Sequence, residues 1–240
     1  MAFHSLEKPV RHRRKEARPS ELTAAALELF VERGYSATRL DDVAARAGVS
    51  KGTLYIYFDS KEALFSAVIR EGLLSALAGE EKRVANYTGC SADLLRTVVR
   101  GFWRMVGTKP IGGLPKLIFA EAENFPKIAR FYHDEVIARG VALMRAVLTR
   151  GIARGEFHTR DPDAAAHILI APLLMRVVWK HSLGRCGVQG VPTERYLAEY
   201  LQMMVGGLYN GDFANRRAQG VNQLMFSKAR EGNDNQDAFK

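Results

Sequence analysis

The sequence predicts an all-α protein, and three observations carry that reading. Apolar residues recur at spacings of three and four along most of the chain, the interval that lines one face of an α-helix. Nowhere do apolar and polar residues alternate over the length a strand needs. Glycine, serine, threonine and proline fall where the periodic stretches start and stop. The chain has 240 residues, 47% hydrophobic and 25% charged, enough to bury a core in one large domain or two small ones.

The elements follow in order. Leu22, Ala25, Ala26, Leu29 and Phe30 form one apolar stripe, and Gly34 suits a left-handed cap after it. Thr38 with Asp41 three residues later reads as a capping box with Asp in place of Glu. Leu40, Val43, Ala44 and Ala47 then make a short face that stops at Gly48. Ser50 opens a second short helix carrying Leu54, Tyr55 and Phe58. Asp59 or Ser60 caps a longer one, with Leu64, Phe65, Val68, Ile69 and Leu73 on its buried side. Further helices are predicted over about 91–107 and 114–123, and from Pro126 to about 154, since proline fits a first helical turn. Asp161-Pro162 starts the next, which Pro172 should kink. Thr193 caps the last, through Leu197, Leu201, Met204 and Leu208. Residues 211–240 have little periodicity and read as a mobile tail.

The formal net charge is +9, which favours a polyanionic partner. Its distribution is uneven: +4 over residues 1–19, −1 over 20–61, +5 over 62–210 and +1 over 211–240. Arg11, Arg13, Arg14, Lys15 and Arg18 form a dense basic arm, either a solvated tail or a nucleic-acid contact. Two cysteines cannot make a disulfide framework, which points to a reducing compartment. No uninterrupted apolar run of about 18 residues is present, and no signal-peptide core follows the basic start. A soluble, cytoplasmic protein with no membrane partner is expected.

Residues 40–58 are the informative segment. Two short helices joined at Ala47-Gly48-Val49 have the form of a helix-turn-helix: a small residue, a glycine and an apolar residue at the turn, with Ala44 small enough for a close crossing. The second helix offers Ser50, Lys51, Gly52, Thr53, Tyr55 and Tyr57 outward, suited to a major groove, and its free N–H groups suit a phosphate. On spacing alone, an ordinary helical core stays open beside DNA binding. The longer string is more specific. Gly34-Tyr35-Ser36-Ala37-Thr38, then Val43 through Phe58, then Ser60-Lys61-Glu62-Ala63-Leu64 closely resemble the N-terminal domain of the TetR family of bacterial transcriptional regulators, over roughly residues 20–66.

That resemblance implies an all-α homodimer: a three-helix helix-turn-helix DNA-binding domain over 20–66, behind the arm 1–19, then an effector-binding and dimerisation domain over 67–210. It implies phosphate contact at Thr38, base or backbone contact at Ser50, Lys51, Gly52 and Thr53, roles for Tyr55 and Tyr57, and a phosphate-binding Lys61. Arg39 is a further candidate for a phosphate contact. Tyr55 could instead pack against Leu29 and Phe30, whereas Tyr57 is expected outward. Ile56 departs from the family, whose residue there is more often polar, which speaks against a base contact at that slot. The stretch Leu117–Pro126 followed by Ala129–Tyr132, and Arg154–Phe157 with Asp161-Pro162, resemble one C-terminal subtype near the AcrR branch.

In the second domain, Phe102, Trp103, Met105, Phe119, Phe131, Met175 and Trp179 are candidates for an effector pocket, with ordinary core as the alternative for each. The effector would be a small apolar or aromatic molecule. The segments 161–183 and 193–209 are apolar over wide faces and, by resemblance, pair with their copies in the dimer. His133, His167 and His181 lack a ligand spacing, so no metal is expected, and no cofactor either. No nucleophile elbow, phosphate loop or zinc motif appears, so the chain is not read as an enzyme. The expectation is a ligand-responsive regulator, most readily a repressor, on a palindromic operator in double-stranded DNA. A chromosome-organising DNA-binding protein without an effector is the alternative. Either would be nucleoid-associated.

Overall fold

The computed structural model describes residues 13–188 and 190–209. The predicted tail 211–240 and the first twelve residues of the predicted arm lie outside them. All the named elements are helical, and the sole β pairing among the described residues is an isolated bridge between Phe157 and Tyr209.

The first helix, α1 (Arg13–Arg33), begins earlier than its apolar stripe and contains Pro19. Part of the predicted arm is therefore helix, continuous with the domain it was expected to precede. Gly34 ends it at φ 90°. Tyr35 then turns inward, stacks on Phe30 at 5.4 Å and meets the Phe65 ring edge-on at 5.3 Å. Next come α2 (Leu40–Arg46) and α3 (Lys51–Tyr57). The helix that follows is one unbroken rod: α4 (Lys61–Ile69), a π-helical turn (Arg70–Leu74) and α5 (Ser75–Ala85). Ser60, rather than Asp59, caps it by accepting from the Ala63 N–H at 3.0 Å.

The body has the same habit. Helix α6 (Ser91–Phe102) runs into a second π turn (Trp103–Gly107), and a 3-10 turn (Pro110–Gly113) leads to α7 (Leu114–Glu121). Helix α8 (Pro126–Tyr132), a third π turn (His133–Ile137) and α9 (Ala138–Ala153) form the continuous helix predicted from Pro126. Gly155, at φ 69°, closes α9. There Glu156, only 3% exposed, accepts from the Ser91 N–H at the start of α6 and from Arg154 Nε at 2.7 Å.

Helix α10 (Pro162–His181) is capped by Asp161 as the sequence predicts, and α11 is Thr193–Leu208. Pro172 removes one N–H from α10. Two α11 phenols reach the carbonyls beside it: Tyr200 donates to Leu169 O at 2.6 Å and Tyr196 to Pro172 O at 3.0 Å. Within Pro162–Cys186 an 18-residue window has a mean hydropathy of 1.3, apolar and long enough by composition to cross a membrane. Asp163, Arg176 and Lys180 interrupt the stretch, so it is not an unbroken apolar run. Ile168 and Met175 on α10 and Met203 on α11 are largely exposed.

The N-terminal three helices sit directly on the body. Gly113 lies so close to Val31 of α1 that a Cβ would stand 2.7 Å from its Cγ1. Arg185, beyond α10, donates to the Val31 carbonyl at 3.4 Å. Phe125, before α8, meets the Tyr35 ring edge-on at 4.7 Å.

Candidate nucleic-acid interface and apolar cavity

The turn between α2 and α3 is built as its residues require. Gly48 adopts φ 67°, its N–H donates to Ala45 O at 3.1 Å, and Val49 N–H donates to Ala44 O at 3.0 Å. That double closure is a Schellman motif, which needs a left-handed residue at Gly48. Ion pairs tie α2 to α1: Arg46 reaches Glu28 at 3.0 Å and Glu32 at 3.1 Å, and Arg33 reaches Asp42 at 3.5 Å. All are exposed, so they set orientation more than stability. The sequence reading overlooked Arg46 because its partners lie 14 and 18 residues away.

Ser50 caps α3, accepting from Thr53 N–H at 3.1 Å, and the two hydroxyls stand 2.8 Å apart. Thr53 is half-buried, whereas Ser50, Lys51 and Gly52 are exposed at the helix start. A Cβ on Gly52 would meet only Ser50 Oγ, at 3.9 Å, so the surface in front of it is open. Lys51 is held by Asp41 of α2 at 2.9 Å, and that carboxylate pushes its ammonium pKa upward. Both groups are more than half exposed, so the pair yields readily to a phosphate. Arg39 is exposed at the start of α2.

Four expectations change. Thr38 is 1% exposed, and its hydroxyl donates to Gly34 O at 2.7 Å and Leu29 O at 3.3 Å. It forms no capping box, because Arg39 is the residue flanking α2 and no side chain caps that end. Its hydroxyl faces inward and is taken up by the Gly34 and Leu29 carbonyls. Lys61 is likewise occupied: its ammonium donates to the carbonyls of Tyr35 at 2.9 Å, Ser36 at 3.2 Å and Thr38 at 3.1 Å. Those carbonyls offset the repulsion between a lysine and the positive end of α4. Burial lowers its pKa. Tyr57, expected outward, is half-buried against the core, and of the two readings open for Tyr55 the exposed one holds, with Lys51 Nζ 6.0 Å from its ring centre. Ile56 is 77% exposed, the most exposed large apolar side chain among the described residues.

The body encloses a cavity of about 100 Å³ between α5, α6, α7, α9 and α10. Of the seven predicted lining residues, Phe102, Met105 and Phe119 border it, and Phe119, 58% exposed, marks its mouth. The other four stand elsewhere. Trp103 is buried in the core with Lys180 Nζ 5.9 Å from its ring centre. Phe131 lies under the Arg70 guanidinium at 5.2 Å. Met175 is 63% exposed on α10, and Trp179 is half-buried near Gly190. Periodicity places a residue on a helix face but not against a particular neighbour, hence these misses.

The sequence reading missed Leu73, Glu80, Tyr132 and Ile137 in the wall. Glu80 left a readable signal, because it interrupts the stripe Leu73-Leu77-Glu80-Val84, where an acid is out of place. All three π turns contribute to the wall: Leu73 from the first, Met105 from the second, Val136 and Ile137 from the third. Such turns gather at functional sites. No cluster of three or more metal-ligating side chains occurs among the described residues.

A short-helix reading head seated on a helical body with an internal chamber is the build of a ligand-linked DNA-binding regulator. The family model described as bacterial regulatory proteins of the tetR family matches residues 22–68, and the tetracyclin repressor-like C-terminal domain matches 86–184. The chain belongs to the TetR family of bacterial transcriptional regulators. It is 28% identical over 196 residues to the HTH-type transcriptional repressor KstR2 of Rhodococcus jostii, covering 81% of this chain and 92% of that one. It is 36% identical over 92 residues to the transcriptional activator FasR of Mycolicibacterium smegmatis, covering 38% and 42%. The fold is shared with the fatty acid degradation regulator FadR of Bacillus halodurans, at a TM-score of 0.65 and 19% identity over 85% of this chain and 98% of that one. These relatives are regulators, which fits a protein that is not an enzyme.

Proposed function

We propose that this DNA-binding regulator is a repressor released from a palindromic operator when a small apolar molecule enters the body cavity. The observation that carries this reading is continuity: the rod 61–85 begins against the reading head at Lys61 and forms the cavity wall at Leu73, Leu77 and Glu80. A ligand favouring one setting of that wall lowers operator affinity by its differential affinity for the two settings. Repression follows the name of the KstR2 relative.

The exposed apolar residues Ile168, Met175 and Met203 support a homodimer through α10 and α11, which would cover the membrane-length stretch with a second copy. Two α3 helices would then enter successive major grooves about 34–36 Å apart. Ser50, Lys51, Gly52, Tyr55 and Arg39 are the contacts this geometry supports best, and the protein would be cytoplasmic and nucleoid-associated. Gel retardation on the region upstream of its own gene tests the reading. Specific retardation, weakened about tenfold by Lys51→Ala and reversed by an apolar metabolite extract, is expected. Retardation untouched by either overturns it.

A further inference from the structure

The cavity wall is apolar except at two places. Tyr132 presents a phenol that burial keeps protonated, and a phenol can donate or accept, so it does not choose the sign of a guest. Glu80 does choose. Its side chain is 15% exposed, and its Oε2 accepts no hydrogen bond, although the Arg83 Nε stands 3.3 Å away. Arg83 therefore offsets the charge without supplying a well-directed N–H. Arg83 is not among the residues that line the wall.

The carboxylate also has a prepared seat. A Cβ on Gly101 of α6 would stand 2.7 Å from Glu80 Oε1, so a glycine at that point leaves the room the carboxylate occupies. A buried acceptor without a donor is costly, more so when charged, and a guest that donates to it removes that cost. A guest bearing its own carboxylate adds a second buried negative charge a few ångströms away.

We propose that Glu80 makes this cavity selective for lipophilic molecules with a hydrogen-bond-donating head, an alcohol or an amine, and against carboxylates. This rests on the cavity being the effector site. Three ligands with one tail isolate the head group: octan-1-ol, octylamine and octanoate, each titrated calorimetrically into the full-length protein. The alcohol and the amine should bind at least tenfold more tightly than octanoate. Glu80→Gln should bring octanoate within about threefold of the alcohol and remove the preference for the amine. Octanoate binding as tightly as the others to the unaltered protein overturns the proposal without recourse to the variant. So does failure of all three to bind, or an unchanged ranking in a folded Glu80→Gln. Gel retardation with the same ligands separates the two readings. The predicted ranking without operator release sinks the effector reading alone, whereas release by octanoate alone sinks the head-group assignment alone.

Discussion

The reading head and the cavity wall use the same apolar periodicity and differ in how their helices are interrupted. In the head, α1, α2 and α3 are regular and end at defined stops: Gly34 at φ 90°, Gly48 at φ 67°, with Ser50 and Ser60 opening the helices that follow. Around the cavity the helices run on through π turns at 70–74, 103–107 and 133–137. A surface that must fit a groove of fixed dimensions gains from short, rigidly closed elements. A wall that must admit a guest gains from turns whose hydrogen bonding is already irregular. The two regions meet where Tyr35 packs on Phe125 and Val31 on Gly113, so the rigid one rests on the adaptable one.

Five substitutions, the last two a pair, break or sharpen this contrast. The largest effect belongs to Phe30→Ala. The ring is fully buried between Tyr35 and Phe65, so its loss should remove about 3–5 kcal/mol of stability, read by denaturant unfolding. A loss under 1 kcal/mol would mean that the head repacks as freely as the wall. Second is Lys61→Met, which strands three carbonyls and should cost about 2 kcal/mol. Operator affinity should fall with it, because the α1–α2 loop loses its anchor.

Third is Glu156→Gln in the body, worth about 1–2 kcal/mol at pH 7. Burial alone would raise that carboxyl's pKa, but the bonds from Arg154 and the Ser91 N–H outweigh it and hold the value below the usual range. A lowered folded value stabilises above the unfolded pKa of about 4.3 and is lost as pH falls through the folded value. The unfolding curves of the two proteins should therefore converge below about pH 4. Curves that stay parallel in acid would show that the tie is not electrostatic.

The smallest effect is the most diagnostic, since one change made in both regions should have opposite signs. Gly48 and Gly140 each have open space where a Cβ would go. Gly48→Ala forces a left-handed alanine and should cost about 1 kcal/mol. Gly140→Ala lies within α9 on the cavity wall and should gain about 1 kcal/mol while narrowing the chamber. Thermal melting of the pair decides it, and equal signs would dissolve the contrast.

What could be read from the sequence divides along the same line. Gly34, Gly48, Ser50, Ser60 and Asp161 were legible because a cap or a left-handed turn demands particular residues at one position. The fates of Thr38, Lys61 and Tyr57 were not, since each depends on carbonyls or core side chains supplied by another element. The π turns carry no composition of their own, so the irregular wall appeared as ordinary helix. Glu80 went unread, although an acid within the apolar stripe of Leu73, Leu77 and Val84 was a signal that could have found it.

The turn Arg70–Leu74 has a mechanical side. A π turn closes on the fifth residue where an α turn closes on the fourth, so the rod holds one residue of slack between Lys61 and Glu80. Were that slack drawn out, one end of the rod would advance relative to the other by about 1.5 Å and turn by about 100°. The rod would then behave as a screw rather than a lever. A guest in the chamber would reach the DNA-facing helices as a change of phase, with no hinge required.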